Sequence, residues 1–541
     1  MTATTPARGG GTLVGTGSLV RMMLRRDRVK LPSWILGISL FWLYYTRLVP
    51  TAYPTRADLD AIVGMMGGAT GRMWTGPTYF LDNMTYETFI PAAYGGYLIL
   101  VIVLMSILLI VRHTRVEEQT GRAELVRASV VGRHAPLTAA LLVALIANGA
   151  TAGLIAIMMI ADPIFSTGGS LLFVAGCFAS GLAFAGLTAA IVQVTEYSRT
   201  ATSLAAGAGL GGAFLIKAFG DMGHEHGTLL SWFSPMAWPQ QTAPFVLDRW
   251  WPLTLSVAFA VATAALGYWL AARRDVGAGL IAPRAGKARA KGWLGTPVGL
   301  AWRLERRTIM WWAIGLGVLG MSMGAFAERA VPGEMPEALL VVLDGAENIT
   351  AGYLAYMGVF MASIVAIYAV LAMQGLRAEE TGGRGEPVLA AAVSRWSWLG
   401  ANLLVGTIGV VVIMGVAGAM TGLGAASVLG DNALIWEVTA AHLNHVPPIL
   451  VVLGVAALLF GLLPRATGAS WALVAYGFIM GTFGALMDLP DVAFDISPFE
   501  HPARMPLEEF ELVPVAVLVA IAVALVAVGL AAFRRRDLDV T

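Results

Sequence analysis

Two stretches of this chain carry carboxylates and guanidinium groups at matching positions. Arg115 to Arg133 reads RVEEQTGRAELVRASVVGR, and 262 positions later Arg377 to Arg395 reads RAEETGGRGEPVLAAAVSR. Without a gap, ten of the nineteen positions are identical: Arg115/Arg377, Glu117/Glu379, Glu118/Glu380, Gly121/Gly383, Arg122/Arg384, Glu124/Glu386, Val126/Val388, Ala128/Ala390, Val131/Val393 and Arg133/Arg395. Groups of this kind form ion pairs and dock against charged partners. Bond-making chemistry has no support in the residues. The chain lacks a G-x-x-x-x-G-K-[ST] phosphate loop, an H-E-x-x-H zinc motif and a G-x-S-x-G nucleophile elbow. Gly121 and Gly383 permit a tight bend or a close backbone approach.

The elements that carry these groups are apolar. The chain is 57% hydrophobic and 13% charged, where a soluble protein carries about 25% charged residues. Runs of about twenty apolar residues span a ~30 Å hydrocarbon core as helices. Twelve such runs are predicted, at 31–50, 91–112, 136–161, 168–193, 203–220, 251–272, 310–328, 350–374, 397–424, 438–463, 466–487 and 512–533. Net charge is +1 and gives no reason to expect a nucleic-acid partner. Placing both termini in the cytoplasm leaves only seven of the 35 Lys and Arg outside: Arg47, Arg56, Arg72, Lys217, Arg249, Arg329 and Arg504. That asymmetry sets the expected topology. Cys177 is the sole cysteine, so no intrachain disulfide can form. The first apolar run is a full span and is expected to remain as an anchor rather than be cleaved.

The duplication extends beyond the charged stretch. Arg25, Asp27, Arg28, Trp34 and Gly37 match Arg303, Glu305, Arg306, Trp312 and Gly315. Leu81-Asp82, Thr88, Tyr94 and Gly96 match Leu343-Asp344, Thr350, Tyr356 and Gly358. Ser234-Pro235 and Pro239 match Ser497-Pro498 and Pro502, and Arg273-Arg274-Asp275 matches Arg535-Arg536-Asp537. The expected fold is an all-α polytopic membrane protein with two parallel six-helix repeats and pseudo-twofold symmetry. Residues 1–275 form the first half, 276–298 a Gly-, Pro- and Lys/Arg-rich cytoplasmic linker, and 299–541 the second half. Residues 17–30 predict an amphipathic helix in the membrane surface, with a counterpart at 299–307. The charged stretches predict short amphipathic helices just beyond a span, with charges facing the cytoplasm and a Leu/Val face resting on the helix ends.

With these features the chain resembles the permease subunit of ABC-2 type exporters. In that family the loop after the second helix carries an E-x-G-x-x-E-x-L-like stretch, which forms a coupling helix docked on the ATPase. Glu118, Gly121 and Glu124 fit this pattern, as do Glu380, Gly383 and Glu386. Pro387, in the place of Leu125, departs from it and is expected to shorten or kink the second helix. The double-length form is similar to actinobacterial exporters of polyketide antibiotics, the tetronasin type. The resemblance implies a bacterial plasma membrane location and export of lipophilic drugs or antibiotics. It also implies two copies of a separate ATPase subunit, which hold the ATP and Mg; no cofactor is expected in this chain. A secondary transporter of the major facilitator type also has twelve helices in parallel repeats. Its G-x-x-x-D-R-x-G-R-R-like loop is echoed here only by Gly121-Arg122.

Aromatic and Met-rich walls suit bulky apolar ligands. Phe41, Tyr44 and Tyr45 on the first span, Tyr94 and Tyr97 on the second, and Tyr353, Tyr356 and Met357 in the matching place are candidate cavity residues; packing between helices explains them equally well. Arg47, Asp82, Asp344 and Lys217 are candidate polar contacts at an outer gate. His224-Glu225-His226 matches no common metal spacing, and no metal is expected.

Overall fold

The computed structural model describes residues 11–275, 277–281, 289–329, 348–484 and 490–537. The described residues are helical, with no strand among them. They divide into two compact units, Met1–Ala285 and Gly286–Thr541.

In the first unit, α1 (Thr16–Arg26) precedes α2 (Lys30–Ala52). Then come α3 (Tyr86–Gln119), α4 (Ala135–Ala161), α5 (Thr167–Ile191), α6 (Ser198–Met222) and α7 (Pro252–Ala271). In the second unit are α8 (Pro297–Ala327), α9 (Ile349–Thr381), α10 (Arg395–Leu429) and α11 (Ala433–Leu462), then α12 (Ser470–Phe483) and α13 (Leu512–Arg535). Ten of these are long and apolar enough to cross a membrane. The other two predicted spans also fall on helices. In α2, Lys30, Arg47 and the aromatic residues Trp34, Trp42, Tyr44 and Tyr45 dilute the aliphatic content. α12 has 14 described residues, and the rest of that predicted span, 485–487, lies outside the described residues. Asp344 and parts of the predicted linker, 276 and 282–288, also lie outside them.

Counting α2 and α8 as the first helix of each unit, the second and fourth make its centre. In α3 and α5, Leu98, Ile102, Val103 and Phe184 are fully or nearly fully buried. In α9 and α11, Met361, Val365, Ile449, Val452 and Phe460 are likewise buried. Both helix pairs are apolar on nearly every face, as central elements must be. The sixth helices sit at the edge. α7 packs on α5 and α13 on α11, while Val257, Val261, Val523 and Val528 remain more than half exposed. Such aliphatic exposure suits a helix facing lipid.

Residues 17–30 form a helix that stops at Asp27. Leu19 and Met23 pack on Ala135, Ala139 and Val143 of α4. The break follows from Asp27, whose buried carboxylate lies 2.8 Å from both Arg112 and His113 of α3. The predicted counterpart at 299–307 is not a separate helix. There α8 runs unbroken from Pro297, and the positions matching Arg112 and His113 are Gln374 and Gly375.

Candidate functional site

Glu117 and Glu118 sit on the last turn of α3, not beyond it. A π turn, Arg112–Val116, immediately precedes them. Such turns add a residue to the helix and re-aim the side chains after it. α9 reaches Glu379 and Glu380 as unbroken α-helix. Beyond each helix the chain reverses through a left-handed glycine, Gly121 at φ +73° and Gly383 at φ +68°. A Cβ at either position meets nothing within 4 Å, so backbone conformation rather than space favours glycine there. Short helices come next, Arg122–Arg127 in the first unit and Glu386–Leu389 in the second.

The duplicated carboxylates turn inward. Glu118 Oε2 and Oε1 accept from Arg274 Nη1 and Nη2 at 2.8 and 2.6 Å. Glu380 Oε1 and Oε2 accept from Arg536 Nη1 and Nη2 at 2.6 and 2.7 Å. Each is a two-pronged pair joining the end of the second helix to the end of the sixth. The Glu118 side chain is 14% exposed and that of Glu380 3%. A second duplicated contact lies beside each pair. Arg133 donates to the Ala272 carbonyl at 2.6 Å, and Arg395 donates to the carbonyls of Arg536 and of Arg534, the latter at 3.3 Å. Both satisfy orphan carbonyls at the C-terminus of the sixth helix. Three of the ten identities in the repeated stretch, Glu118/Glu380, Gly121/Gly383 and Arg133/Arg395, therefore bind within their own unit or shape its turn.

The two sites differ in their surroundings. In the first unit Arg115 is fully buried. It donates to Glu118 at 2.9 Å, to the Val192 carbonyl, and to the Ala278 carbonyl at 3.1 Å. Arg274 Nε donates to Gln193 Oε1 at 2.6 Å. The chain after α7 is held here too. Gly277 N lies 3.3 Å from Glu118 Oε2, while Leu280 N and Ile281 N donate to the carbonyls of Gln193 and Val194. In the second unit the Arg536 guanidinium lies over the rings of Phe460 and Phe533, at 5.1 and 5.0 Å.

Among the remaining charges, the Glu117 side chain is 16% exposed and that of Glu379 33%. Glu117 pairs with Arg26 at 2.5 Å and reaches Arg122 at 3.9 Å, and Glu379 pairs with Arg384 at 2.8 Å. Arg122, Glu124, Arg384 and Glu386 are exposed. The expected Leu/Val face is split. Val126 packs against the Leu19–Met23 cluster, but Leu125 is 76% exposed and Val130 84%. The helix at Glu386–Leu389 has four residues against six, with Pro387 in its first turn, where the missing N–H is tolerated.

The aromatic candidates pack on one another. Tyr45 stacks on Tyr94 with centroids 4.0 Å apart, and Phe41 and Tyr44 flank Tyr45 at 4.9 and 5.2 Å. Tyr97 stacks on Trp74. Tyr353 donates to the Met323 carbonyl at 2.8 Å and, with Met357, belongs to a buried cluster; Tyr356 packs against that cluster and stacks on Phe360. A small pocket in the first unit is lined instead by Thr75, Tyr79, Phe80, Pro91, Phe173 and Gln240, among others. Among the gate candidates, Arg47 lies 3.3 Å from Asp162, and Lys217 lies 3.3 Å from Asp221. His226 stacks on Tyr79, whose ring also meets Arg249 at 5.3 Å. The Glu225 carbonyl accepts from Thr78. This segment closes the end of the unit opposite the duplicated stretch.

Sequence reasoning missed the partners of Glu118 and Glu380. A signal was present: Arg274 and Arg536 are also duplicated, and each lies 156 residues after its glutamate.

The family model described as "Multidrug efflux system permease Rv1217c, C-terminal domain" matches residues 294–534. The chain is also 37% identical over 540 residues to the multidrug efflux system permease protein Rv1217c of Mycobacterium tuberculosis. That match covers 98% of this chain and 96% of the relative. By its helical units and by this likeness along nearly all its length, the chain belongs to the family of multidrug efflux system permeases that includes Rv1217c.

Proposed function

We propose that this chain is the membrane-spanning subunit of an ATP-driven ABC exporter that carries lipophilic drugs or antibiotics out of a bacterial cell. In this reading twelve helices span the plasma membrane and both termini lie in the cytoplasm. Two copies of a separate ATPase subunit bind ATP and Mg, one beneath each duplicated stretch. One observation carries the reading: each unit ends its second helix in a left-handed glycine and a short helix with exposed charges. In the first unit the exposed side of Leu125 stands beside Arg122 and Glu124. A charged ridge with an apolar knob suits a groove on another protein. The chain has no phosphate loop of its own.

Transport in vesicles separates this reading from a secondary transporter. Export of a lipophilic dye by the chain with its copurifying ATPase is expected to require Mg-ATP and hydrolysis. It is expected to survive collapse of the proton gradient. Export that runs on the gradient without ATP refutes the proposal. In the same preparation, Leu125→Asp combined with Glu124→Lys places a charge on the knob and reverses the ridge. We expect copurification of the ATPase to fall about tenfold, as for loss of an interface anchor worth ~1.4 kcal/mol. Unchanged copurification moves the docking surface elsewhere.

A further inference from the structure

We propose that Glu118–Arg274 and Glu380–Arg536 are transmission latches, through which a displacement of the short helices is passed to the sixth helix of each unit. The proposal rests on the reading that a motor acts on Arg122–Arg127 and Glu386–Leu389. Its support is independent of that reading. Both partners of each pair are duplicated, and both pairs have two-pronged geometry.

Stability alone accounts poorly for such pairs. A largely buried ion pair gains little over apolar residues of the same volume, because desolvation offsets the Coulomb attraction. What a two-pronged pair does supply is fixed distance and orientation. The sixth helix needs that. α7 and α13 lean on the fourth helices and are otherwise largely exposed. At the end that carries the short helix, the latch and the Arg133 or Arg395 contact join it to the second and third helices. A push on the short helix therefore has a stiff route to the sixth.

The latches are unequal. The first also grips the start of the chain that leads to the second unit, through Gly277 and Ala278. The second seats its guanidinium on two phenyl rings. The first latch therefore also pins the linker.

The test uses the full chain with its ATPase in vesicles, with dye export and ATP hydrolysis measured together. Glu118→Gln and Glu380→Gln keep the side-chain shape and remove the charge. We expect unchanged ATPase copurification and a lower thermal midpoint, because each change leaves a largely buried guanidinium without its counter-charge; assayed well below that midpoint, dye exported per ATP is expected to fall about tenfold. The swap of Glu380→Arg with Arg536→Glu is expected to restore most of that ratio. A ratio left unchanged in the Glu118→Gln/Glu380→Gln double variant overturns the latch. So does a loss that tracks yield or thermal midpoint and is not restored by the swap. Wild-type export that needs no ATP overturns the motor reading and the latch together, whereas normal ATP-driven export in the double variant overturns the latch alone.

Discussion

Asp221→Ala is expected to destabilise the protein by about 3–5 kcal/mol, because it leaves a buried ammonium without its counter-charge. Lys217 and Asp221 are 2% and 0% exposed and lie 3.3 Å apart near the end of α6. Ser231 donates to Asp221 Oδ1 at 2.6 Å, and Arg72 donates to the backbone carbonyls of Asp221 and Met222 at 3.0 and 2.9 Å. The pair thus ties α6 to the segment that closes that end of the unit. Removing both charges is predicted to be milder than removing one. Counting from Ser234 and Ser497 without a gap, the second unit has Met480 and Gly484 in these places. A Cβ on Gly484 would meet the Phe494 ring at 2.6 Å, so an aromatic side chain fills the space that the Asp221–Ser231 contact occupies in the first unit. Lys217→Met/Asp221→Ala is therefore expected to recover at least half of the loss. The thermal midpoint of the solubilised protein measures both. An Asp221→Ala midpoint equal to wild type contradicts the expectation.

Gly424→Val is expected to abolish the stable second unit. A Cβ at Gly424 would lie 2.2 Å from the Met321 carbonyl, and one at Gly324 would lie 2.0 Å from the Thr421 carbonyl. The backbones of α8 and α10 touch along this seam. Membrane helices associate through such close approach, since lipid offers no hydrophobic drive between them. Valine must push the helices apart, and overpacking of this kind costs ~3 kcal/mol or more where backbone, not a flexible side chain, is in the way. Gly315→Ala is the control: it lies on the same helix seam partner, α8, and its added Cβ meets nothing within 4 Å. That change is expected to be neutral, or to stabilise by about 1 kcal/mol through helix propensity. Yield and thermal midpoint of the two variants decide. Equal behaviour removes the seam as the reason for glycine.

Much of the architecture is legible from local pattern. Apolar runs place the helices, because length and composition alone decide whether a segment can cross a bilayer. The duplication of Glu118, Gly121 and Arg133 singles out the two charged turns, and Gly121 and Gly383 adopt the left-handed backbone that glycine allows. The break after α1 was less legible. It depends on Asp27 reaching Arg112 and His113, and the second unit, with Gln374 and Gly375 there, continues as one helix.

The chain's own pattern thus determined that it is a duplicated helical membrane protein with a charged turn after the second helix of each repeat. Only tertiary structure decided which way each charge faces. A helix-end glutamate carries no local mark of its partner. Glu118 and Glu380 turn inward because the sixth helix, 156 residues further on, packs so that Arg274 and Arg536 arrive beside them. Leu125 is left outward for the converse reason: none of the described residues of its unit covers it.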